Sequence, residues 1–409
     1  MTRNYFKKFI KYSKKVYCIE ESLKMLKDTR KNPSYTTAET VLPVLLGFIM
    51  RIQSFNELKY RIRSNDFQSI VSRKKQLPQI DTIRDTLKVV DTMGLERMNQ
   101  RIIKKAKRNK VFDHGTIDGY TVAAIDGTKL FGSYKKSCCK CCTTTVRNKK
   151  TNYFHSAAFM SLVGNEPRLI IDFELYKGSV DSSKKEEGEL TVAKRLLSRV
   201  AKEHKNTVDV VVYDALALGS GWINHCKANK ITPVIHVKEN NIKSIKDVKT
   251  QVNQSKEKET WYDEKRERDV KAYEQKFYMD NVQEPLRFVK FAKKKSVTDR
   301  SQILLVTSDF DIPLKTLYKI MHQRWDIENS VFNKLKTYGA MDHCFVHYPN
   351  AIEAILHVMS IAYNLMQLFV FKRLSGKEIK ALKQKEMVRL LEKELYGMKY
   401  SRQYIFDTT

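Results

Sequence analysis

The sequence predicts an α/β fold: a mixed sheet flanked by helices, with a helical basic region before it and a β-rich insertion inside it. Three observations carry this. The apolar runs 121–126, 153–164 and 168–178 follow one another with turn residues between them. Alternating helix and strand patterns then fill 187–238. Residues 1–115 show helical periodicity and no comparable strand run.

In chain order, the run VLPVLLGFIM predicts a buried helix over 37–50, behind Pro33 and a Ser/Thr cluster. Ile80, Ile83, Leu87 and Val90 recur at helical spacing, with Asp81 placed to cap the start. TVAAID (121–126), YFHSAAFMSLVG (153–164) and RLIIDFELYKG (168–178) are strands. A helix over 187–203 leads to the strand VDVVVYD (208–214), a short helix over 221–230 and the strand TPVIHVK (232–238). Residues 239–300 break this rhythm and are expected to form a mostly β insertion. SQILLVTSD (301–309) returns to the core, followed by a helix over 313–336 with Pro313 in its first turn. The apolar stretch 351–371 contains Glu353, His357, Asn364 and Gln367, so it predicts a buried helix and not a membrane span. A charged helix is expected over 376–395. The expected divisions are 1–118, 119–238, 239–300, 301–375 and 376–409.

Composition narrows the function. Hydrophobic residues make up 42% of 409, enough to build a core, which excludes general disorder. Lysine and arginine number 76 against 46 acidic residues, a net charge of +30. Such a charge repels itself in a compact state, and a polyanion relieves it; nucleic acid is the commonest such partner. Residues 1–110 hold 26 basic and 10 acidic side chains, which concentrates the excess there. Arg61, Arg63, Arg73, Lys74, Lys75 and the run Lys104, Lys105, Lys107, Arg108, Lys110 can grip phosphates. Met1–Lys15 lacks a secretory apolar stretch, and with seven cysteines this points to reduced thiols in the cytoplasm.

Two carboxylates stand in similar settings: Asp126 closes one expected strand and Asp214 another. Both positions open onto the crevice outside an α/β sheet. Glu328 lies inside an expected helix, four residues after Arg324 on the same face. Three converging anions raise one another's pKa unless a cation holds them ionised. Hard oxygen ligands select Mg²⁺ or Mn²⁺. Two such ions roughly 4 Å apart activate a water or 3′-hydroxyl and stabilise the leaving oxygen of an in-line phosphoryl transfer.

AAIDGTKLF, VVYDALALG and QRWDIENSVFNKLK resemble the three carboxylate motifs of the bacterial insertion-sequence D-D-E transposases. Arg-Trp-x-Ile-Glu followed by Phe-Asn-x-Leu-Lys is similar to the glutamate-helix signature of the group with a β-rich insertion before that helix. The likeness runs from about residue 28 to 373. It implies a ribonuclease-H-like core, Mg²⁺ dependence, and binding of terminal inverted repeats and target DNA by a dimer. It makes Asp126, Asp214 and Glu328 the metal ligands and Arg324 a phosphate contact near the cut. The broader signature has a tyrosine three residues before the arginine and a lysine seven after the glutamate. Here those positions hold Met321 and Leu335. Lys336 comes one residue later, about 80° round a regular helix from Glu328. In transposases of this layout an insertion tryptophan stacks on an extruded base, which makes Trp261 a DNA-contact candidate beside its plainer reading as an aromatic packed in a β meander.

Cys138, Cys139, Cys141 and Cys142 form two overlapping Cys-x-x-Cys pairs. A structural zinc there needs partners from elsewhere, with His155, His225 and Cys226 as candidates; the alternative is a loop of reduced thiols. Glu186, Glu187 and Glu189 read as the acidic first turn of a helix, and His236 as a satisfied core histidine. Two further readings compete with a transposase: a transposase-derived DNA-binding protein that no longer cuts, and a repair nuclease of the same fold without end preference.

Overall fold

The computed structural model describes residues 5–64, 67–68, 76–145, 151–178, 187–238, 242–294, 300–374 and 384–396. Among these, ten strands form one mixed sheet, and the fold is ribonuclease-H-like: α/β, with helices packed on the sheet and a helical N-terminal region. The strands are β1 (Val122–Ser133), β2 (Cys142–Thr145), β3 (Thr151–Leu162), β4 (Ile170–Leu175), β5 (Val210–Tyr213), β6 (Thr232–His236), β7 (Glu259–Asp263), β8 (Arg268–Phe277), β9 (Leu286–Lys294) and β10 (Arg300–Thr307). Their order is β2-β3-β1-β5-β6-β10-β9-β8-β7, with β4 also paired to β3.

β1, β5 and β6 run parallel at the centre. Their residues Val122–Ile125, Val210–Tyr213 and Pro233–Ile235 are buried almost without interruption. That is the pattern of strands covered on both faces, and it explains why these segments read as continuous apolar runs. The insertion is not a separate module. A helix, Lys243–Gln254, precedes β7, and β7–β8–β9 then join β10 edge to edge, so the insertion lengthens the central sheet.

The long helix Pro349–Leu368 is the hub of the helical layer. It is long and apolar enough to cross a membrane, yet it is packed inside the fold. The N-terminal helices Thr37–Ile49, Ile80–Val89 and Thr92–Arg108 pack around it and share one core with the sheet. Asn364 fixes the hub to β4. Its Oδ1 accepts from Ile170 N at 2.8 Å, and its Nδ2 donates to Ile170 O at 2.8 Å and Asn99 Oδ1 at 2.9 Å. A fully buried amide so satisfied gives the packing one register, since any slip orphans its polar atoms.

The buried helix starts at Thr37 as expected, and Thr36 of the Ser/Thr cluster caps it: its Oγ1 accepts from Glu39 N while Glu39 bonds back to Thr36 N at 2.7 Å, a reciprocal cap. Other elements differ from expectation. Asp81 does not cap its helix. Gln79 holds that position, and Asp81 pairs instead with Arg84 one turn on. In the basic run near 104–110, Lys104, Lys107, Arg108 and Lys110 are exposed, and part of the run bonds other segments of the chain at the surface. Lys107 donates to the carbonyls of Lys205 and Asn206, and Lys105 approaches the Cys18 thiol. Arg73, Lys74, Lys75 and Glu186 lie outside the described residues, as does the start of the C-terminal helix, which is described over Gln384–Tyr396.

Candidate active site

Strand register builds the first part of the site. β1 and β5 pair Val122 with Val210 and Ala124 with Val212. Carried two residues on, the same register sets Asp126 level with Asp214. β5 and β6 pair Tyr213 with Ile235, which sets His236 level with Asp214 on the far side. Three neighbouring parallel strands therefore present Asp126, Asp214 and His236 in a row. Asp126 does not close its strand: β1 continues to Ser133 as a hairpin with β3. It is β5 that stops here, because the Asp214 Oδ1 accepts from Leu216 N at 2.9 Å and starts a tight turn over Ala215–Ala217. That turn opens the sheet beside Asp126.

Glu328 comes from a helical run broken into three: Leu314–Gln323, a π-helical turn over Ile327–Phe332, and Asn333–Gly339. Ile327, Val331 and Phe332 are buried. Phe332 meets Phe159 edge to face at 5.6 Å, and Phe159 is the cross-strand partner of Asp126. Arg168 clamps the turn on both sides of the glutamate. Its guanidinium reaches Asp326 at 3.3 Å and donates to Ser330 Oγ at 2.5 Å. Asp326 also accepts from Gly164 N at 3.0 Å. Gly164 has φ +100, and a Cβ there would strike Thr116 O at 2.5 Å, so only glycine fits this turn.

The packing crowds negative charge. The Asp126 carboxyl is pushed up to about 7, first by burial and then by repulsion from Glu328 and Glu189; Arg324 and the Gly127 amide oppose the rise. Arg324 donates to Glu328 Oε1 at 3.3 Å, with its side chain 9% exposed against 44% for the glutamate. The Arg324 Nε is buried without a hydrogen-bond partner. His236 is held below its ordinary pKa by burial, with Arg324 and Lys238 adding to the effect while Asp214 opposes it. Asp126 and Glu328 thus feel each other's charge, and Asp214 sits level with Asp126 on the next strand. Among the described residues the three carboxylates are not drawn within 4.8 Å of one another. The donor set is wholly hard oxygen, and the crowding makes a cation the natural counter-charge, so the residues fit Mg²⁺ or Mn²⁺.

Sequence reading placed Glu189 in the first turn of a helix, where it is, but missed its influence on Asp126. Glu189 begins the helix Glu189–Glu203, accepts from the Tyr213 hydroxyl at 2.8 Å, and raises Asp126. A Cβ on Gly127 would meet the Tyr176 hydroxyl at 2.6 Å and Glu189 Oε2 at 2.8 Å, so both side-chain ends come close to the backbone directly after Asp126. Glu187, by contrast, is held by Arg195 and the Lys177 amide. No spacing rule separates the two glutamates; only the docking of this helix against β3 and β4 does.

The remaining candidates divide. A π turn takes up one residue more than an α turn, so the eight residues from Glu328 to Lys336 turn through about as much as seven regular ones, ~700°, leaving Lys336 within roughly 20° of Glu328. Met321, where the signature has tyrosine, is buried. Trp261 is half-buried, packed edge to face on Phe291 at 6.0 Å and Tyr318 at 5.5 Å, as expected of an aromatic in a β meander. The exposed aromatic beside Glu328 is Trp325, with the Arg324 guanidinium 4.7 Å from its ring.

A second cluster lies further along the same hairpin. Cys138, Cys141, His155 and His347 bring four ligand atoms within 4.8 Å of one another. His225 and Cys226 are not among them. His225 bonds Ser198 and the Lys194 carbonyl, and Cys226 is buried under its own helix. Cys139 is exposed.

A mixed sheet with acidic groups level on adjacent strands, faced by a glutamate from a clamped helical turn, defines a ribonuclease-H-like protein with a carboxylate site. Residues 118–365 match the family described as the transposase DDE domain, more than half of the chain. The chain belongs to that family. A comparison with curated proteins gave no match.

Proposed function

We propose that this transposase-family protein cuts DNA at the ends of a mobile element and joins the freed 3′ ends to a target, using Asp126, Asp214 and Glu328 as metal ligands. The reading is supported by the strand register that sets Asp126 level with Asp214, inside the segment matched to the family, and by the burial of Asp126 near Glu328 and Glu189, which pushes its carboxyl up to about 7. A bare anionic cluster of this kind is costly, and a divalent cation removes the cost. When bound, Mg²⁺ or Mn²⁺ supplies the activated oxygen nucleophile and stabilises the leaving oxygen.

The chain's own residues do the rest. Arg168 ties the Glu328 turn to the connection between β3 and β4. Arg324, buried beside Glu328 and donating to its Oε1, orients that carboxylate, and its phosphate contact near the scissile bond is carried over from the family resemblance. Lys336, turned to the same face, extends that contact along the backbone, and the net charge of +30 draws the duplex in. Recognition of terminal inverted repeats and pairing of two chains on DNA belong to the same proposal.

The test is nicking of the DNA flanking the coding sequence. With Mn²⁺ or Mg²⁺ the protein is expected to nick at the repeat ends, and Asp126→Asn to bind but not cut. A variant that cuts as well as the parent would sink the assignment. Binding without cutting by the parent would leave the DNA-binding derivative, and cutting without end preference a repair nuclease.

A further inference from the structure

The geometry points to a structural zinc ion held by Cys138, Cys141, His155 and His347, which clips the hairpin bearing Asp126 to the segment that follows the Glu328 helix.

Three of the ligand atoms already form a near-equilateral triangle, and the fourth lies within 4.8 Å of each of them. Cys138 Sγ lies 3.4 Å from Cys141 Sγ and 3.3 Å from His155 Nε2, and Cys141 Sγ lies 3.4 Å from His155 Nε2. With Zn–S of about 2.3 Å and Zn–N of about 2.0–2.1 Å, tetrahedral edges come to ~3.8 Å between sulfurs and ~3.6 Å between sulfur and nitrogen. The cluster needs to open by only a few tenths of an ångström. The fourth corner is His347, whose ring centroid is 6.2 Å from that of His155.

The backbone is shaped for this. Cys138 N donates to Cys141 Sγ at 3.2 Å, and Cys141 N to Cys138 O at 3.1 Å, so the Cys-x-x-Cys turn aims both sulfurs inward. The Gly178 backbone closes on this turn so tightly that a Cβ would lie 2.1 Å from Cys141 O. The sulfurs are not bonded to each other, since a disulfide requires about 2.05 Å. Two thiolates and two imidazoles suit Zn²⁺ and not Mg²⁺, and four protein ligands leave no open position, which makes the site structural. Binding releases the two thiol protons as Zn²⁺ takes their place.

The ligands come from three places in the chain. Cys138 and Cys141 sit between β1 and β2, His155 is on β3, and His347 precedes the hub helix Pro349–Leu368. The same hairpin carries Asp126, and the segment holding His347 begins directly after the helix that carries Glu328. The clip therefore fixes the two halves of the carboxylate site against each other. Only this last consequence rests on the function proposed above.

Elemental analysis of the full-length protein, purified from zinc-supplemented growth without chelator, tests the site. One zinc per chain is expected, retained in Cys139→Ser and lost in Cys138→Ser and His347→Ala. Because these variants can fail to fold, the parent is also followed by hydrogen exchange and alkylation. Zinc removal is expected to raise exchange at 138–142 and 343–348 and to expose Cys138 and Cys141 to the alkylating reagent. Absence of zinc from the parent, equal zinc in Cys138→Ser, or recovery of the two cysteines as a disulfide would overturn the proposal. A protein with full zinc that fails to nick DNA contradicts the transposase reading and leaves the clip standing.

Discussion

The carboxylate site around Asp126 and the cysteine-histidine cluster around Cys141 share the segment from β1 to β3, and they are built in opposite ways. The sulfur and nitrogen ligands are close-packed, two of them buried, with all four ligand atoms within 4.8 Å of one another. The oxygen ligands are looser: Glu328 is 44% exposed and leans on Arg324, while Asp126 carries a raised pKa. The difference teaches what each is for. Ligands that hold a fold together gain from closure. Ligands that must admit cations and a DNA strand have to stay open, and their mutual repulsion is tolerated because neighbours such as Arg168 hold the elements that carry them.

The largest effect expected from breaking this contrast is catalytic. Asp126→Asn should lower nicking by roughly a thousandfold or more, with duplex binding unchanged in a gel-shift assay. Next comes the clamp. Arg168→Ala frees the turn around Glu328 and should lower nicking by about a hundredfold while every carboxylate remains, since small misplacements cost that much. Full activity in that variant would show that the turn holds itself.

A third prediction concerns stability. In the metal-free protein Asp126 titrates near 7 when folded, above the ordinary carboxylate value of 3.8. The folded state therefore keeps a proton that the unfolded chain has released. Stability in chelator should fall as pH rises from about 4 to about 7 and level off beyond. Asp126→Asn should remove this slope and melt higher than the parent at pH 8, and Glu189→Gln should move its upper end to lower pH. Thermal melts across pH check both. The smallest effect is at Lys336: Lys336→Ala should weaken DNA binding several-fold for all sequences and reduce the salt slope by about 1.

Much of this was legible in the sequence, for identifiable reasons. VVVYD and TVAAID announce buried parallel strands because both faces are covered, and a carboxylate at the end of such a run stands out. The Glu328 motif is dense enough to mark its family. Less was legible wherever distant segments meet. His347 has no local signal that ties it to Cys138; the link exists only once the segment after the glutamate helix folds back onto β3. Glu189 looked like Glu187 until helix docking gave each a different neighbour. The π turn is invisible to a count that assumes regular helix, so Lys336 seemed misplaced by one residue. The insertion read correctly as strand-rich, but nothing in 239–300 indicates that it would pair with β10 and extend the main sheet.

Direct titration of Mn²⁺ into the metal-free protein reaches the centre of the account. The parent should bind two ions per chain at the carboxylates, and Asp126→Asn, Asp214→Asn and Glu328→Gln should each lose binding there. Unchanged Mn²⁺ stoichiometry and affinity in all three would contradict it.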